Sequence, residues 1–250
     1  IDKILDECSL SARENFLEPP SPFKKSDVYP WRFNRDLSFM RRPIIRMDNN
    51  ILYGTNNLYN SVFYLFDIIN KGKFNARSKP MKDYMSKVNK IRGKNFNDLV
   101  FMYISRMNNI IVDKNVSKIN GLHIADTNGL TLGDIDVLYI LPKQKKIVLI
   151  EAKDFNSVKN YYELHNEYQN LFVDTDDKKC FLTKHKRRVK WVEEHINEVI
   201  IHYHLPNVKY KVYYMFVTSE YCPSKDTLIT NENIYSIKEL NEKIIFNIKN

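Results

Sequence analysis

Three residues stand out by type and spacing: Asp136, Glu151 and Lys153. They lie in the runs Gly133-Asp134-Ile135-Asp136-Val137-Leu138 and Ile147-Val148-Leu149-Ile150-Glu151-Ala152-Lys153. Two acids set in apolar runs, with an amine two residues after one of them, have the chemistry to hold a hard divalent cation and to steer an attacking water. The alternative is a surface cluster of strand-end charges in which Asp134 and Lys153 form a plain ion pair. Against it, Asp136 and Glu151 fall inside apolar strands, where a like-charged pair is costly.

The elements that must position these side chains are two strands and a turn. Strand side chains alternate faces, so Asp134 and Asp136 share one face, as do Glu151 and Lys153. The polar stretch Pro142-Lys143-Gln144-Lys145 joins the strands. A hairpin centred between Lys143 and Gln144 places Asp136 opposite Glu151 and Asp134 opposite Lys153. Opposed Cβ atoms sit roughly 4.5–5.5 Å apart, and two carboxylates at that separation repel unless a cation or proton lies between them. A slip of one residue would send them to different faces.

Around this hairpin the pattern is mixed. Phe96, Leu99, Val100, Tyr103, Ile104 and Met107 make one apolar helix stripe. A short strand follows near Ile110–Val112, then strands over Gly133–Leu141 and Ile147–Lys153. Helices are expected over Val158–Phe172, Lys184–Tyr203 and Ile237–Phe246, with a strand over Tyr210–Val217. This order suits an α/β layer with a central sheet. Residues 1–92 read as a separate, mostly helical accessory region. Prolines 19, 20 and 22 break its first helix, a hairpin spans Pro43–Gly54, and helices span 57–70 and 81–91.

The run GDIDVL, a short hairpin and then IEAK resembles the signature of the PD-(D/E)XK nuclease superfamily. The resemblance implies that residues 93–250 form a restriction-endonuclease-like core: helix, three-strand meander, helix, strand. It implies hydrolysis of phosphodiester bonds, DNA favoured over RNA, with Mg²⁺ or Mn²⁺ held by Asp136, Glu151 and the backbone carbonyl of Ala152. Lys153 takes the lysine role. Ile135 stands where the family name has proline. A setting in defence against foreign DNA, or in repair, would suit such a module. One departure concerns the glutamate that many relatives carry on the preceding helix. Here Asn97 stands at that place, flanking the apolar stripe, and Asp98 points nearly opposite its centre. This puts a second metal in doubt. Gln169, on the helix after the E-x-K strand, matches a glutamine that recurs in several branches.

Lys184-His185-Lys186-Arg187-Arg188, with Lys190 just beyond, reads as a phosphate-facing cluster at a helix start, or else as a solvated charged face. The formal net charge of +9 favours an anionic partner such as nucleic acid, although a Lys- and Asn-rich composition gives the same sign. Three separated cysteines, Cys8, Cys180 and Cys222, lack zinc or disulfide spacing and fit a reducing cytoplasm. No apolar run reaches the roughly 18 residues of a membrane span. The chain opens on Ile1 rather than Met, which leaves room for further domains of a longer protein; a second copy in a homodimer is another candidate partner. The rival to a nuclease is a catalytically inactive nuclease fold acting as a nucleic-acid-binding or assembly module.

Overall fold

The computed structural model describes residues 2–32, 35–155, 158, 160–227 and 232–241. The chain divides into two units, Ile1–Arg92 and Gly93–Asn250. The first holds α1 (Asp2–Cys8), β1 (Ser9–Ser11), β2 (Ile44–Met47), β3 (Asn50–Tyr53), α2 (Thr55–Asn70) and the start of α3 (Lys79–Ile104). β2 and β3 form the expected antiparallel hairpin, with Asp48 in the left-handed region at φ 52°. β1 pairs in parallel with β2, so a three-stranded sheet accompanies the helices of this unit. Three residues are too few for an alternation signal, and β1 was not legible in the sequence.

α3 runs unbroken through Gly93, where a helix end and a fresh start were expected. A mid-helix glycine costs about 1 kcal/mol relative to alanine and does not by itself end a helix. After α3 come β4 (Ile111–Val116), the small hairpin β5 (Lys118–Ile119) and β6 (Leu122–His123), β7 (Ile135–Leu141) and β8 (Lys146–Lys153). α4 (Tyr161–Phe172), α5 (Phe181–Glu194), α6 (Ile196–His202), β9 (Lys211–Thr218) and β10 (Ile234–Ser236) complete the second unit. Residues 237–241 are helical, and the rest of the expected last helix lies outside the described residues.

Five strands form a mixed sheet in the order β10-β9-β8-β7-β4. β4, β7 and β8 are antiparallel neighbours, whereas β9 runs parallel to β8 and β10 parallel to β9. A parallel neighbour requires a crossover, and α4, α5 and α6 supply it. Alternate residues of β7 and β8 feed two cores. Leu138, Ile140, Ile147 and Leu149 pack with Val189, Trp191 and Val192 of α5 and Val199 of α6. Val137, Tyr139, Val148 and Ile150 pack with Phe96, Val100 and Ile104 of α3. The sheet is therefore covered on both faces, which is why both strands read as nearly continuous apolar runs.

The expected single helix over 184–203 is two. His195 stacks on Trp191 with ring centroids 4.2 Å apart, and its Nδ1 lies 2.8 Å from the Trp191 carbonyl oxygen. The side chain competes for the backbone acceptor, and the φ of −112° at His195 separates α5 from α6.

Candidate functional site

The hairpin register decides where the acids fall. β7 and β8 pair from Leu141↔Lys146 to Val137↔Ile150, so the next pair in sequence is Asp136 and Glu151, as the turn predicted. The ladder stops there. On its other side β7 pairs Lys114↔Val137 and Val116↔Ile135, passing over Asp136, with Asn115 in the left-handed region at φ 53°. Asp136 thus sits where β7 parts from β8 and where its pairing with β4 skips one residue before resuming at Ile135.

Its carboxylate takes over what the missing ladder leaves open. Oδ2 accepts the Ala152 N–H at 2.8 Å, and Oδ1 accepts the Asn97 Nδ2–H of α3 at 3.1 Å. Asn97 therefore points to the site, and Asp98 does not: it pairs with Lys114. Asp134 is exposed beyond the end of the ladder. Its expected opposite, Lys153, turns instead to Glu151.

Glu151 is 6% exposed and is held from the α5 side. Its Oε1 lies 2.6 Å from Lys153 Nζ, and its Oε2 pairs with Arg188 Nη2. Arg188 also donates from Nη1 to the Leu132 carbonyl at 3.1 Å. His185 is fully buried, its Nε2 lies 3.3 Å from the Leu149 carbonyl oxygen, and its Nδ1 lies 3.7 Å from Glu151 Oε2. Lys153 Nζ also lies 4.9 Å from the centroid of the Phe181 ring and remains partly open to water.

These contacts set the charge states. Burial and the neighbouring Glu151 carboxylate push Asp136 up to about 6, against the pull of Lys153, the Ala152 N–H and Arg188. Burial also pushes Glu151 up, but Lys153, Arg188 and His185 outweigh it and hold that carboxyl below its ordinary value. Burial drives His185 down to about 4, so the ring is neutral at pH 7. The site therefore contains one firmly ionised acid and one that resists ionisation, first because it is buried and then because of its charged neighbour.

Residues 1–229 match a protein family, the Upx-like anti-phage proteins. The chain belongs to that family. No curated protein matches the sequence. Among solved structures it is similar to the type IIF restriction endonuclease Bse634I, solved with cognate DNA. That likeness has 10% identity over 78% of this chain and 84% of that one, with a TM-score of 0.28. A likeness that loose decides nothing about the fold.

The basic run of this Upx-like chain does not lie on one face of its helix. α5 begins at Phe181, and the Cys180 Sγ accepts the Thr183 N–H at the helix start. Lys184, His185, Lys186, Arg187 and Arg188 therefore lie further along the helix and spread around it. His185 and Arg188 turn inward, while Lys186 pairs with Glu232, Arg187 with Asp126 and Lys190 with Glu194. The inward pair was readable: residues 185, 188, 189 and 192 have i, i+3, i+4, i+7 spacing and continue the apolar stripe of Val189 and Val192. Gln169 is in the last turn of α4 and, among the described contacts, is not bonded to Asp136, Glu151 or Lys153. Among the described residues no three His, Cys, Asp or Glu side chains gather as an ion cage. No helix among them is long and apolar enough to cross a membrane.

Two outcomes follow for the metal-free protein. Removing one partner of a buried ion pair strands the other. Arg188→Met should therefore lower unfolding free energy by about 3 kcal/mol in a urea titration, Lys153 still partnering Glu151. Asp136 gives a pH signature. Between the ordinary value of 3.8 and about 6 the folded chain keeps a proton that the unfolded chain has released. Its contribution is full below that window and is lost as pH rises through it, by roughly 3 kcal/mol at pH 7. In EDTA, the stability of wild type relative to Asp136→Asn should fall between pH 4 and pH 7. A pH-independent difference would contradict the assignment.

Proposed function

We propose that this chain is a divalent-metal-dependent nuclease that cuts phosphodiester bonds, in DNA by preference, as its contribution to anti-phage defence. The observation that supports this most is the Asp136–Glu151 pair. Burial, and after it the neighbouring Glu151 carboxylate, raise Asp136 to about 6 where the β7–β8 pairing ends, with the Lys153 amine on Glu151. Placing a second acid where it is forced up to about 6 has a cost that a bound cation would remove.

The donor set fits Mg²⁺ or Mn²⁺. Asp136 and Glu151 offer hard carboxylate oxygens. The Ala152 N–H points toward β7, and the carbonyl of a strand residue points the same way as its N–H. The neighbouring Lys153 carbonyl accepts the Ser219 N–H on the β9 side, as alternation requires. The Ala152 carbonyl is therefore turned to the side on which the β7 ladder has ended. When bound, the ion would lower the pKa of a water and neutralise charge on the scissile phosphate. Arg188 would keep Glu151 ionised and fixed through Oε2 while Glu151 and Asp136 hold the ion. Lys153, freed from full pairing with Glu151, would orient the attacking water or steady the phosphate oxygens. Neutral His185 would close the buried side of the site.

The net charge of +9 supports a nucleic-acid substrate through long-range attraction. This reading places no weight on a basic groove along α5. A plasmid-nicking assay tests it. Wild type should convert supercoiled DNA with Mg²⁺ or Mn²⁺ and stop in EDTA. Asp136→Asn, Glu151→Gln and Lys153→Ala should each lose about 100-fold or more. Cutting that persists in EDTA, or in all three variants, would overturn it. DNA binding without any metal-dependent cutting would favour the inactive, nucleic-acid-binding alternative.

A further inference from the structure

The first unit carries a surface that a soluble monomer has no reason to keep. Among the described residues β3 is an edge strand of its sheet, paired on one side only, and all four of its residues are exposed. Such an edge offers unpaired backbone N–H and C=O groups to another strand. Proteins commonly blunt an edge with Lys, Pro or a bulge, and β3 reads Asn50-Ile51-Leu52-Tyr53 with none of these. One residue later, α2 begins. Its Tyr59, Val62, Phe63 and Phe66 recur at i, i+3, i+4 and i+7, the spacing of a core-facing stripe, yet they face solvent. The buried side of α2 is a different one, marked by Ser61 and Ile68.

Ile51, Leu52, Tyr53 and the four α2 residues are each between 48% and 64% exposed. Charge is also missing. Asp48 is the only charged side chain from Met47 to Phe66, in a chain that is 28% charged. Depletion of charge with enrichment in aromatics is the composition of an interface centre.

We infer that β3 and the outer stripe of α2 form a homodimer interface, with β3 pairing antiparallel to β3 of a second copy. Three arguments select that occupant. An edge strand paired antiparallel to its own copy satisfies a twofold axis, so the contact closes at two chains. Leu52 faces the other side of β3 from Ile51 and Tyr53, so at most six of the seven apolar residues share a face. At roughly 100 Å² each they offer about 600 Å² per copy, the lower end of a standard specific interface. The face is uncharged, so it matches itself better than it matches a basic or acidic partner, and it lacks the Lys and Arg that an interfacial membrane helix would carry. The result is one continuous six-stranded sheet running from β1 through both copies of β3 to the second β1.

This inference is independent of the nuclease reading. The test is sedimentation velocity on the full chain, wild type against Phe63→Glu and Ile51→Lys, with circular dichroism to verify folding. Both positions are exposed, so neither substitution disturbs a core. Wild type should sediment as a dimer at micromolar concentration. Each variant should weaken the dimer at least about 30-fold while keeping the wild-type spectrum. A wild-type chain that stays monomeric at about 100 μM overturns the proposal and leaves the face to a different occupant. Variants that dimerise as wild type does also overturn it, because the contact then lies elsewhere.

Discussion

Two carboxylates, Asp136 and Glu151, have been taken out of water within reach of each other's field, and much of the second unit is arranged around that fact. Neither would persist there alone. Glu151 is made tolerable by Lys153 and Arg188, one on each oxygen. Asp136 is held by two N–H donors, from Ala152 and Asn97, and remains hard to ionise at pH values where an exposed aspartate would be fully charged. The cationic and hydrogen-bonding partners come from three elements: α3, β8 and α5. The geometry of the acids is therefore a property of the whole layered fold and not of the hairpin alone.

The sheet supports this arrangement by ending in the right place. From Leu141 to Val137 the strand β7 is paired with β8, and its side chains alternate between the two cores. At Asp136 the ladder gives way, and a side-chain carboxylate bonds the β8 backbone where a peptide carbonyl would have done so. This places an acid in the plane of the sheet. Arg188, anchored on Leu132 as well as on Glu151, links the approach to β7 to α5.

Much of this was legible in the sequence because it follows from periodicity. The turn at Pro142–Lys145 fixed the hairpin register, and the stripe through Phe96, Val100 and Ile104 identified the helix that covers one face. What sequence reasoning missed depends on long-range contacts or on exceptions to alternation. Strict alternation puts Asp134 with Asp136 and pairs Asp134 with Lys153, but the ladder ends before that point. Helix direction, by contrast, did favour Asn97 over Asp98, and it is Asn97 that reaches Asp136. His185 and Arg188 were grouped with their charged neighbours by sequence adjacency. Helical spacing places them on the buried face, where they act on Glu151 through space across 34 and 37 residues of chain.

The most direct test of the account is calorimetric titration of Mn²⁺ into the metal-free protein, with Asp136→Asn and Glu151→Gln titrated alongside. The account predicts one ion per chain, proton release on binding near pH 5.5 as Asp136 ionises, and affinity at least about tenfold weaker in both variants. Equal affinity in wild type and variants, or no uptake at all, would mean that these two acids do not share a cation.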